Sequence, residues 1–242
     1  MRWSTYVRYE VLRNFRNWRF LVFSLGFPLI LLLVVGGPNR HSRLGGVPFL
    51  LYYMTGMATF GTMTAVVSGG ARIADERKSG WTRQTRITPL SVGTYFGAKV
   101  LTSYLMAIAS MAVLFLTGRA LGVQLAAVDW LIMTGLLLVG LIPFAVFGIF
   151  LGHVLDVDSL GPALGGSVTV LALLGGAWGP LVRGGALQEV IKVLPSYWLV
   201  RAADTALRGS GWSLEGWLVI VVWSVAVTRL AVFAYRRDTA RV

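Results

Sequence analysis

Long uncharged apolar stretches alternate with short polar ones along this chain. A membrane crossing takes about 20 mainly apolar residues in a helix. Six stretches approach that length, at roughly 20–36, within 47–70, and at roughly 94–118, 130–152, 159–182 and 216–235. The pattern predicts an all-α integral membrane protein of six transmembrane helices, forming a single domain over 1–242. Pro28, Pro143 and Pro162 fall inside these stretches. Proline is tolerable there because neighbouring helices can satisfy the freed backbone groups. The first run begins only at Phe20 and lacks a small-residue cleavage site, so it reads as a span rather than a removable leader.

The segments outside the spans carry patterns of their own. In 1–19, Trp3, Val7, Val11, Phe15 and Trp18 recur every three or four positions, and five arginines fall largely on the other side. This predicts an N-terminal interfacial amphipathic helix; the plainer alternative is a basic flank that only sets orientation. Between spans five and six, over 183–213, Leu187, Val190, Ile191 and Leu194 form one short stripe that Pro195 breaks. Trp198, Val200, Ala202 and Leu207 form a weaker one, predicting two short helices at the outer face, or else a simple loop.

Composition agrees with the pattern. The chain of 242 residues is 56% hydrophobic with only 13% charged residues, against about 25% in soluble domains. Its net charge of +12 is split among polar segments between hydrophobic spans, which argues against nucleic-acid binding. If the N-terminus is inside, fourteen Lys and Arg lie in cytoplasmic segments and seven in outer loops. That bias predicts both termini in the cytoplasm. Arg229 lies within the last span, where it can snorkel to the headgroups or face the interior.

The chemistry the chain lacks narrows its function. With no cysteine, thiolate metal sites and cysteine nucleophiles are excluded. There is no G-x-x-x-x-G-K-S/T loop to cradle ATP. His153, Asp156 and Asp158 read as a solvated turn rather than a metal cluster, and no metal or cofactor is expected on this chain. The cores of the first five spans offer no ionisable group, which disfavours an ion-coupled carrier and an intramembrane enzyme. Glycines four apart (Gly148 and Gly152, Gly161 and Gly165, Gly175 and Gly179) offer places for close helix packing.

One polar segment stands out, at 71–93 between spans two and three. Asp75 and Glu76 suit the first turn of a short helix, Arg77 and Lys78 follow, Gly80 permits a turn and Pro89 closes the element. The order Glu76-Arg77-Lys78-Ser79-Gly80-Trp81, followed by Thr88-Pro89-Leu90, resembles the first cytoplasmic loop of ABC-2 type permeases, the membrane subunits of bacterial ABC exporters. That family's loose pattern is E-R-x-x-G-T-x-x-x-x-x-x-T-P-L. Here Trp81 replaces the commoner threonine, and Arg83 stands where an acidic residue is frequent. The basic start and the outer segment with Pro195-Ser196-Tyr197-Trp198 extend the resemblance over nearly the whole chain.

The resemblance implies a multi-pass permease in the bacterial inner membrane. It would pack as a homodimer or heterodimer with a second permease subunit, among membrane lipids. Two copies of a cytoplasmic ABC ATPase would hold the ATP and Mg. The 75–90 segment would be the coupling helix, with Asp75, Glu76, Arg77, Gly80, Trp81, Arg83 and Pro89 contacting the ATPase. The cargo would be an amphipathic drug, antibiotic or lipid-like molecule. Tyr52, Tyr53, Met57, Phe144 and Phe147 are the candidates for its path. The competing expectation is a non-transport membrane sensor or assembly component.

Overall fold

The computed structural model describes residue 12 and residues 22–80, 92–180 and 184–239. The expected amphipathic helix over 1–19 lies, except for Leu12, outside the described residues. The elements in chain order are α1 (Phe27–Leu31), β1 (Arg43–Leu44), β2 (Val47–Pro48), α2 (Phe49–Ala71), α3 (Ile73–Lys78), α4 (Val92–Ala120) and α5 (Ala127–Gly140). They continue with α6 (Ile142–Val154), α7 (Val157–Gly175), α8 (Ala186–Lys192), α9 (Pro195–Val200), α10 (Ala202–Leu207) and α11 (Leu214–Thr239). The two strands form a minimal antiparallel hairpin with Arg43 opposite Pro48.

Among the described residues, five helical stretches are long and apolar enough to cross a membrane: Phe49–Lys78, Tyr95–Ala120, Ala127–Val154, Val157–Gly175 and Leu214–Asp238. The expected count of six is therefore met only for five. The described part of the first stretch is a shorter apolar helix, Ser24–Gly36. It consists of α1 between two π-helical turns, Val22–Gly26 and Leu32–Gly36. Pro28, at the start of α1, has no N–H to donate, which interrupts regular α pairing.

Helix α2 is the hub, because it is apolar on every side and almost wholly enclosed. It packs against α4, α6 and α7, while α7 and α11 keep broad apolar faces exposed. Its small residues set the distances. A Cβ on Gly70 would lie 2.6 Å from the Gly148 carbonyl carbon, and one on Gly148 would lie 2.2 Å from the Val67 oxygen. At this crossing α2 and α6 touch backbone to backbone. Buried Thr55 and Thr62 return their hydroxyls to the carbonyls of Leu51 and Ala58.

The three glycine pairs thus differ. Gly148 and Gly152 meet α2, and Gly175 meets the Ser196 backbone, whereas Gly161, Gly165 and Gly179 face open space.

The span over 130–152 is two helices, α5 and α6, broken at Leu141 ahead of Pro143. Between the last two spans the structure has three short helices where the apolar stripes predict two. Pro195 ends the first, and a turn at Arg201 divides the second stripe into α9 and α10. Asp129, Asp158, Glu189, Asp204 and Glu215 each sit in the first turn of a helix, where the macrodipole favours them. Arg229 is on the exposed side of α11, as snorkelling requires.

Candidate functional site

The charged run at the end of α2 does not form a separate rod. Only Arg72 lies between α2 and α3, so 49–78 is close to one continuous helix. Successive residues on a helix point about 100° apart, so four consecutive charges must face different surroundings. Asp75 and Lys78 are exposed, Arg77 is half-buried and Glu76 is enclosed. Glu76 and Arg77, which the resemblance places against the ATPase, are each engaged inside the bundle.

Glu76 faces α4. Its Oε1 pairs with Lys99 Nζ, and its Oε2 accepts the Tyr95 hydroxyl proton at 2.5 Å. Tyr95 and Lys99 are four apart, hence on one face of α4. Lys99 Nζ also stands 5.5 Å from the Tyr95 ring centroid. Lys99 is 1% exposed and Glu76 3%. Both carboxylate oxygens are thereby engaged, which is what an enclosed charge pair needs in order to persist.

Arg77 faces the other way. Its Nη1 donates to the carbonyls of His153 (2.8 Å) and Gly152 (3.3 Å), and its Nη2 lies 3.0 Å from Asp238 Oδ1. The two carbonyls belong to the last turn of α6, so the guanidinium caps that helix end. Asp238, near the end of α11, also meets His153 Nδ1 through Oδ2 at 3.1 Å. The His153 ring sits edge-on to Phe96 (5.8 Å) and Tyr235 (5.5 Å). His153 is therefore a buried joint between α6 and α11, not part of a solvated turn. Asp156 and Asp158 remain exposed, and among the described residues no three His, Cys, Asp or Glu side chains could hold a metal ion.

Gly80 ends the run at φ +72°. Its N–H bonds to the Arg77 carbonyl at 3.2 Å, and the left-handed conformation is the one glycine adopts freely after a helix. Lys78 and Asp158 approach to 3.7 Å, but both are open to solvent and the contact contributes little. Trp81, Arg83 and Pro89 lie outside the described residues.

The network joins α3 to α4 on one side and to α6 and α11 on the other. Its ionisable groups are engaged with one another and with helix-end carbonyls. Sequence reasoning missed Tyr95, Lys99, His153 and Asp238. The available signal was Lys99 itself, an ionisable residue five positions into the span Tyr95–Ala120.

The five path candidates do not share one channel in this chain. Tyr53 and Met57 are in the core, where Tyr53 stacks on Phe49. Tyr52 lines a cavity of 340 Å³ at the far end of α2 and donates its hydroxyl proton to the Gly176 carbonyl at 2.6 Å. Phe144 and Phe147 line a second, apolar cavity of 340 Å³ with Pro195, Trp223 and Val227, between α6, α7 and α11.

Comparison with known proteins agrees with this architecture. Residues 41–234 match the family model of the ABC-2 family transporter protein. The chain is also similar to the protein named "Putative transport permease YvfS" of Bacillus subtilis (strain 168), at 26% identity over 235 residues, covering 96% of each chain.

Proposed function

Because the chain belongs to the ABC-2 transporter family, whose members are membrane permeases, we propose that it is the permease subunit of an ATP-driven exporter in the bacterial cell membrane, with both termini in the cytoplasm. Two permease subunits would form the path, and two copies of a cytoplasmic ATPase would bind and hydrolyse ATP with Mg. The cargo would be an amphipathic drug, antibiotic or lipid-like molecule. Tyr52 and Phe147, the half-buried members of the candidate set, are the better placed to meet it.

One observation carries the coupling part of this reading: Glu76 and Arg77, adjacent in α3, hold different helices. A push on α3 would reach α4 through Glu76, α6 and α11 through Arg77, and α2 through the chain itself. The exposed neighbours Asp75 and Lys78, continuing into Gly80, Trp81, Arg83 and Pro89, would then touch the ATPase, while Glu76 and Arg77 pass the load inward. The division of labour is economical: one short helix both receives and distributes the motion.

The test reconstitutes the chain in liposomes with the ATPase that copurifies with it, comparing Asp75→Ala/Lys78→Ala with the unmodified chain. Both side chains are exposed, so folding is expected to be unaffected. Stimulation of ATP hydrolysis by the permease should fall several-fold. Unchanged stimulation, or the absence of any copurifying ATPase, would count against the reading.

A further inference from the structure

The cavity at the far end of α2 has a composition of its own. Its walls come from the β1–β2 hairpin, the start of α2, the end of α7, and α8 to α10. One side is apolar, made by Leu44, Val47, Ile191 and Val200. The other carries Arg201, Asp204 and Arg208, with Gln188 beside them. A pocket of 340 Å³ is at the small end of those that hold ligands, about 300–1,000 Å³.

The charges decide the sign of what fits. Asp204 Oδ2 is the acceptor for both arginines, at 3.5 Å from Arg201 Nη1 and 3.2 Å from Arg208 Nη2. One carboxylate serves two guanidiniums, so the cluster keeps a net positive charge and most of its N–H donors. The Tyr197 ring, which might have received a cation, is covered by Arg201 at 4.8 Å. The Gln188 carbonyl oxygen accepts from the Gly184 N–H, and its NH2 group is a donor. The polar side of the cavity carries one net positive charge from Arg201, Asp204 and Arg208, and its guanidinium N–H donors outnumber the acceptor oxygens of Asp204.

Its depth is marked by tryptophan. Trp130, Trp178, Trp198, Trp212 and Trp217 stand at or beside the helix ends on this side of the bundle. Such a girdle marks the boundary between hydrocarbon and headgroups. An apolar wall facing a cationic one at that boundary matches a molecule with a carbon chain and an anionic head.

We propose that this cavity binds an amphipathic anion, its phosphate or carboxylate on Arg201 and Arg208 and its first few carbons against Val47, Ile191 and Val200. The anion is either a bilayer lipid with an acidic headgroup or a water-soluble amphiphile. This inference does not depend on the coupling mechanism or on the direction of transport.

The test measures hexyl phosphate binding by calorimetry to the full chain in nanodiscs of phosphatidylcholine. Saturable binding at one site is expected, with hexyltrimethylammonium giving none. Arg201→Gln/Arg208→Gln should weaken it about tenfold or more, the scale of one lost charge-assisted hydrogen bond. Leu174→Trp, which narrows the cavity and leaves the arginines in place, should weaken hexyl phosphate and spare the thermal midpoint. Doping the disc with phosphatidylglycerol separates the sources: competition assigns the site to lipid, and undiminished binding assigns it to a soluble amphiphile. Equal affinity in the double arginine variant, or equal binding of the ammonium probe, would overturn the proposal.

Discussion

Lys99 and Glu76 form an ion pair in which neither side chain is more than 3% exposed, and they belong to the two helices that flank the polar segment of 79–91. Removing one partner leaves the other as an uncompensated buried charge, which costs about 3–5 kcal/mol, whereas replacing both with apolar or neutral groups of similar size is close to neutral. Lys99→Met should therefore lower the thermal midpoint sharply in nanodiscs, and Lys99→Met/Glu76→Gln should recover most of the loss. A double variant no more stable than Lys99→Met would show that the two side chains act independently.

Arg77 supplies hydrogen bonds from α3 to the carbonyls in the last turn of α6, beside the apolar contact of Ile73 with Gly152. Arg77→Gln should raise amide hydrogen exchange at 150–154 and 234–239, where its carbonyl and carboxylate partners lie, while leaving 50–60 in the enclosed middle of α2 protected. The net cost should be about 1–3 kcal/mol, as for a hydrogen-bonded charge. Uniform loss of protection along the chain would instead indicate global destabilisation.

The glycine pairs give a third, sharply contrasted expectation. Gly148→Ala places a Cβ 2.2 Å from the Val67 oxygen, so α2 and α6 must separate, at a cost of about 1–3 kcal/mol. Gly165→Ala, in the interior of α7, meets nothing within 4 Å, and alanine is the better helix former by about 1 kcal/mol. Thermal unfolding of the two variants should move in opposite directions in the monomeric chain. Loss of stability in Gly165→Ala would reveal a second surface packed against that face.

Much of the fold is legible because a lipid-spanning helix needs only length and apolar composition, and both are local properties. The five long spans and the turn at Gly80 follow from such signals, whereas the break ahead of Pro143 falls within one expected span. The stretch around Pro28 is less so, since its π-helical turns depend on how the chain accommodates a missing donor. The polar network is not legible at all as a network. Glu76 and Lys99 are 23 residues apart, and His153 and Asp238 are 85 apart. A charge near a span end reads equally well as an orientation signal or as half of an internal pair. By position alone Lys99 reads as a cytoplasmic orientation charge, and only its packing against α3 distinguishes the two. The same holds for the three short helices beyond α7, where one turn at Arg201 decides between two elements and three.

The pairing of Glu76 with Lys99 also bears on biogenesis. Lys99 follows the helix carrying Glu76 in the chain, and a lone lysine within a span is costly to insert, at most about 2.5–3.5 kcal/mol at a helix centre and less toward the end where Lys99 lies. With its carboxylate already waiting on the preceding helix, the lysine arrives next to a counter-ion instead of bare hydrocarbon. The two helices are thereby favoured to leave the translocon as a hairpin, joined by charge as well as by apolar packing.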